Sequence, residues 1–213
     1  MMHTVPFVAN TPDNLHCTPA CFMMIAKYFD PDFGMPMDKW AKICGFEPGK
    51  GTWANGGLLW FTEHGFEVIH AEDFDDERFI QEQGDYLIKL HGKETGQWMV
   101  EHTNMPAEIE RTRKLSKYPN LFQHKIASTE DMKKLLDKGY LLRVAVNWSA
   151  LHDKHGYEGH SVVVYDYDDI NVYVHDPGLP PQEALAITWD KLAAISADPT
   201  PQNREVDAIR LKA

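Results

Sequence analysis

Apolar positions recur along this chain in two rhythms. Between Thr18 and Phe29, Phe22, Ile25, Ala26 and Phe29 share one helical face, so the spacing predicts a helix there. Pro19 suits its first turn, where a missing N–H costs nothing. Pro31 ends it near Asp30. Residues 4–9 (TVPFVA) read as the extended lead-in. Met37 to Cys44 reads as a second helix stopped by Gly45, and Leu58 to His64 as a third stopped by Gly65, with the turn PGKGTWANGG between them. Phe66 to His70 alternates like a short strand. Asp75 to Gln83 reads as an acidic surface helix. Gln97 to Lys117 is helical in composition and interrupted at Pro106. STED at 128–131 is a capping-box start for a helix that runs to Lys138 and closes at Gly139.

Beyond Gly139 the rhythm shortens. YLLRVAVNW (140–148), HSVVVYDY (160–167) and INVYVHD (170–176) are β-rich runs. The last two are joined through Asp168 and Asp169, short enough for a hairpin. A short helix at 189–195 and a final strand at 206–211 (VDAIRL) follow. A helical front half and an antiparallel back half predict an α+β fold rather than a doubly wound one. With no internal repeat and no low-complexity tract, one domain over residues 1–213 is expected.

Composition narrows the function classes. Hydrophobic residues make up 43% and charged residues 25%, ordinary for a soluble protein. No apolar run reaches about 18 residues, so no membrane span is expected, and MMHTVPFVAN does not read as a signal peptide. Three cysteines do not suggest a disulfide framework, so a reducing cytoplasm is expected. A net charge of −11 and a pI near 5.4 argue against nucleic acid or an anionic membrane as partner.

Candidate chemistry concentrates at the two ends. Cys17 lies at a helix start, where unsatisfied N–H groups favour a thiolate. Cys21, one turn further in, reads as a small buried hydrophobe. His160 opens one β-run and Asp176 closes the next, so a hairpin places them side by side, with the carboxylate able to orient and charge-stabilise the ring. In HDKHGYEGH, His152 and His155 read as solvated loop residues, because the spacing is not that of a metal site. The glycines of GKGTWANGG lack the spacing of a phosphate loop. No metal and no cofactor are expected. Trp53, Trp60 and Trp98 read as core. Trp148 reads as core or as the wall of a cleft. His16, beside Cys17, lines the cleft or faces solvent.

The head VPFVANTPDNLHCTPACFMMIAKYF resembles the start of the papain-like cysteine peptidases that process double-glycine leader peptides (peptidase family thirty-nine) and of their stand-alone relatives. The tail GHSVVVYDYDDINVYVHDPG is similar to their His and Asp-Pro segments, and LLRVAVNWSAL to the strand before them. His160 follows Cys17 by 143 residues, within the roughly 130–150 of papain-type enzymes. The resemblance covers both ends but not the middle, roughly residues 50–125.

It implies a papain-like fold, with the helix carrying Cys17 packed on a C-terminal antiparallel sheet. It further implies Cys17 as nucleophile, His160 as base and Asp176 as orienting acid. The sequence departs from the family at His16-Cys17-Thr18, where Asp-Cys-Gly is common, and in lacking a glutamine before the cysteine. Asn10 is the nearest amide, and either an oxyanion donor or a turn cap. The expected activity is a thiol hydrolase acting on a peptide or small acyl/amide substrate. An acyl transferase or amidase on the same triad, and an inactive binding module, stand as alternatives.

Overall fold

The computed structural model describes residues 4–118 and 120–212. Its centre is a sheet that, among the described residues, has seven strands in the order β2-β1-β7-β3-β4-β5-β6. These are β1 (Phe66–Glu72), β2 (Phe122–His124), β3 (Leu141–Asn147), β4 (Gly159–Tyr167), β5 (Asn171–Asp176), β6 (Gln182–Thr188) and β7 (Val206–Leu211). Among the described strands only the β1–β2 pair is parallel. The mixed α+β architecture is the one expected.

Helix α1 (Cys17–Phe29) lies against β4 and is buried from Thr18 to Ala26. Its apolar side chains form one core with Trp40 of α2 (Met37–Ile43), Leu58 and Phe61 of α3 (Asn55–Glu63), and Val163 and Tyr165 of β4. Burying an aliphatic or aromatic side chain of this kind contributes about 1.5–3 kcal/mol. The opposite sheet face carries Val162, Val164, Val172 and Val174. It is covered by Met132 and Leu136 of α8 (Thr129–Asp137) and by Leu192 and Ile195 of α10 (Trp189–Ser196). Alternation along β4 thus feeds two cores, as a pleated strand requires.

Several elements differ from the sequence reading. α3 starts at Asn55, because Gly56 and Gly57 continue the helix: a Cβ at Gly57 would stand 2.3 Å from the Phe22 ring. The stretch around Pro106 is two helices, α6 (Lys93–Glu101) and α7 (Met105–Leu115), with Pro106 in the first turn of the second. The acidic helix is α4 (Asp76–Glu82), capped by Asp75, and α5 (Gly84–His91) follows it without having been foreseen. With α7 these enclose a satellite core of Phe79, Tyr86, Leu87 and Ile109. The β2 and β6 strands were also not foreseen; β2 is three residues long. Trp98, read as core, is 58% exposed and stacks on His102.

Candidate active site

Cys17 is the first residue of α1, with His16 as its N-cap and no acidic side chain in the first turn. The helix end therefore presents its free N–H groups and positive dipole to the thiol without a competing anion. The approach loop is tied by Asn10: its Oδ1 accepts from the backbone N–H of His16 (2.7 Å) and Thr11 (2.9 Å), and its Nδ2 donates to Asn14 Oδ1 (3.0 Å). The Asn10 backbone N–H donates to the Pro177 carbonyl at 2.8 Å, which ties the loop to the chain just after Asp176. Asn10 thus caps the turn. His16 is buried, its Nδ1 2.6 Å from Thr11 Oγ1 and its ring 4.1 Å from that of Phe46, so it does not face solvent.

β4 and β5 pair antiparallel, with Val163 opposite His175 and Val164 opposite Val174. His160 and Asp176 therefore meet at one end of the hairpin, His160 Nε2 lying 2.6 Å from Asp176 Oδ1. The ring also lies close enough to the Cys17 thiol for each to shift the ionisation of the other. With Nε2 given to the carboxylate, Nδ1 is the nitrogen left for sulfur. Asp176 is fully buried, and its Oδ1 also accepts the Gly178 N–H at 2.7 Å. Gly178 has no room for a side chain: a Cβ there would stand 2.8 Å from Trp148 Nε1 and 2.9 Å from Asp176 Oδ1.

Electrostatics favour an ion pair. Burial pushes the Cys17 thiol up, but the hydrogen bond and charge of His160, with help from the Ser161 N–H and the Thr18 hydroxyl, hold it below its ordinary value. Burial pushes His160 down, yet its bonds to Asp176 and Cys17 raise it to about 9. Burial raises Asp176, and His160, the Gly178 N–H and His152 together bring it below the usual carboxylate value. Cys21 is buried and its thiol is pushed well up by burial. Cys17, Cys21 and Cys44 are all free thiols.

His152 is not the solvated loop residue its sequence context suggested. Its Nε2 lies 3.0 Å from Asp176 Oδ2, and its ring packs 4.5 Å from that of Trp148. It follows α9 (Trp148–Leu151), which Asn147 caps by accepting the Ser149 N–H. Asn147 also accepts the Glu158 N–H at 3.0 Å and donates to the Gly156 carbonyl at 2.9 Å, closing the loop that holds His152. No local spacing signalled this contact, because its partner lies 24 residues away. Trp148 stands beside Gly178, its Nε1 2.8 Å from where a Cβ on that glycine would lie.

A buried polar chain backs the pair. Thr18 Oγ1 and Ser161 Oγ are 3.0 Å apart, and Arg143 Nη1 donates to Ser161 at 3.4 Å. Arg143 is ion-paired to Asp207 and Glu205, and Asp207 also binds His70 Nδ1 at 2.6 Å. His70, Glu205 and Asp207 bring donor atoms within 4.8 Å of one another, a grouping that could hold a metal. Both carboxylates already face the Arg143 guanidinium, however.

No family model matches the chain. No curated protein matches it. Solved structures do. The chain is similar to a C39-like peptidase from Bacillus anthracis (14% identity, TM-score 0.53, covering 99% of this chain and 97% of that one). It is also similar to the peptidase domain of Streptococcus ComA, a bifunctional ABC transporter of a quorum-sensing pathway (14% identity, TM-score 0.50, 98% of each chain). A double-glycine-motif protease from an AMS/PCAT transporter, solved with its leader peptide, matches at 12% identity and TM-score 0.47, over 98% of this chain and 91% of that one. The fold assignment rests on the first two: this chain has the papain-like α+β fold of such peptidase domains. No helix among the described residues is long and apolar enough to cross a membrane.

Proposed function

We propose that the protein is a thiol hydrolase that cleaves a peptide or other amide bond through Cys17, His160 and Asp176. The observation that carries this reading is a thiol at the start of α1 that is electrostatically coupled to a ring whose Nε2 lies 2.6 Å from a buried carboxylate. The Cys17 thiolate attacks the acyl carbon, forming a C–S bond and an oxyanion. The Cys17 backbone N–H at the helix start would receive that charge, with Asn10 as the proposed second donor. Collapse breaks the C–N bond, and His160 gives its proton to the departing amine. Water, deprotonated by His160, then releases the acid from the thioester and restores the thiol. Acyl transfer to an acceptor other than water would use the same Cys17 and His160 chemistry.

Alkylation by iodoacetamide tests the nucleophile. Cys17 is expected to react with a midpoint below the free-thiol value of about 8.5, and His160→Ala to move that midpoint up. Cys21→Ser is expected to leave the curve in place. If wild type and His160→Ala follow one curve near the free-thiol value, the binding-module reading is the better one.

A further inference from the structure

Asp176 holds two imidazoles, not one. His160 Nε2 lies 2.6 Å from Oδ1 and His152 Nε2 lies 3.0 Å from Oδ2, while the Gly178 N–H takes the second position on Oδ1. A carboxylate is acceptor-only, so each ring presents an N–H to it. The proposed reaction uses only the His160 side. We propose that His152 is a positioning residue that orients the Asp176 carboxylate and thereby sustains the imidazolium of His160.

The physical reason is the fate of Oδ2. Asp176 is fully buried, and among the described residues the donor to Oδ2 is His152. Without that donor the oxygen is an unpaired, buried, charged acceptor, which is costly. The carboxylate then gains by turning toward another donor or by taking up a proton. Either change weakens the Oδ1 bond on which the His160 charge depends. His152 can supply this hold because it is itself held: its ring packs on Trp148, which Lys154 covers at 4.1 Å, and Asn147 closes its loop. The charged groups around it are Asp176 of β5, Asp153 and Lys154 of its own loop, Lys191 of α10 paired to Asp153 at 3.1 Å, and His160 of β4 across the carboxylate. Of these, only Asp176 accepts from its Nε2.

The inference rests on the proposed role of Asp176, but its test reads the His160 ring directly. Nitrogen-15 NMR titration of the His160 imidazole is carried out on the full chain in wild type, His152→Gln, His152→Asn and His152→Leu. Gln carries its amide about as far as Nε2, whereas Asn stops nearer the depth of Nδ1. His152→Gln is expected to keep the His160 titration close to wild type. His152→Asn and His152→Leu are expected to lower it by about one pH unit, a tenfold change in the ionisation equilibrium. The Gln/Asn pair decides the matter even if the Leu variant does not fold. An unchanged or raised His160 titration in His152→Asn, or a His152→Gln protein that titrates like His152→Asn, overturns the inference. The proposed function fails separately, when wild-type Cys17 alkylates like a free thiol whatever the His160 ring does.

Discussion

His160 shows how partners can outweigh burial at one residue. Burial lowers its pKa, but Asp176 and Cys17 raise it to about 9, above the ordinary value of about 6.5. The sign of the linkage follows. A ring whose folded value is raised contributes stability that is fully present below about 6.5 and is lost as the pH rises through about 9. The two partners are separable. In Cys17→Ala the ring loses the thiolate and keeps the carboxylate. Its titration by NMR is therefore expected to fall from the wild-type value yet remain above 6.5. A midpoint at or below that ordinary value would mean that Asp176 does not support the ring.

At the scale of elements, the site is the meeting of a helix start with one end of a hairpin, and the turn after β5 has no spare space. Gly178 makes the point against a neighbouring glycine. A Cβ at Gly178 would press on Trp148 Nε1 and Asp176 Oδ1 and stand 3.3 Å from His160 Nε2, whereas one at Gly159 would meet only Tyr157, at 3.5 Å or more. Gly178→Ala is therefore expected to displace the carboxylate and to slow turnover by up to ~100-fold, the cost of misplacing a reacting group by an ångström. It is also expected to cost about 1–3 kcal/mol in urea denaturation, as overpacking does. Gly159→Ala, although adjacent to His160, is expected to leave both measurements near wild type. Equal effects of the two substitutions would count against a packed turn behind His160 and Asp176.

Across the whole molecule, a buried ion network links β1, β3 and β7 to β4, the strand that carries His160. Arg143 of β3 pairs with Asp207 of β7, which in turn binds His70 of β1, and Arg143 reaches Ser161 of β4. Asp207 and the Arg143 side chain are almost wholly out of water. Removing one member strands the others, so Arg143→Met is expected to destabilise the fold by roughly 3–5 kcal/mol in urea denaturation. Burial raises Asp207, but the charge of Arg143 and the bond to His70 bring it below its ordinary value. Its contribution is then present above about 3.9 and lost as the pH falls through the folded value. A loss of stability within about 0.5 kcal/mol, typical of surface sites, would show that the network holds little.

Local pattern determined much of this protein. The buried helix beginning at Cys17 was legible because i, i+3 and i+4 apolar spacing and Pro19 act within a few residues. The β-rich back half was legible from β-branched runs, and the juxtaposition of His160 with Asp176 from a connection short enough to force a hairpin. Motifs at both ends pointed to the papain-like fold that the structure has. The middle was less legible. α5 is a short helix with weak local signals, β2 is three residues long, and β6 follows a proline pair and exists because it pairs with β5. The roles of polar side chains were decided only by tertiary structure. His152 looked like loop and reaches a carboxylate 24 residues on, Arg143 sat inside a strand and found Asp207 64 residues on, and Asn10 became a loop tie because its oxygen meets the His16 N–H. Hydrophobic burial follows periodicity and can be read locally. A buried hydrogen bond depends on which distant atom arrives to satisfy it, and that is settled only when the elements pack.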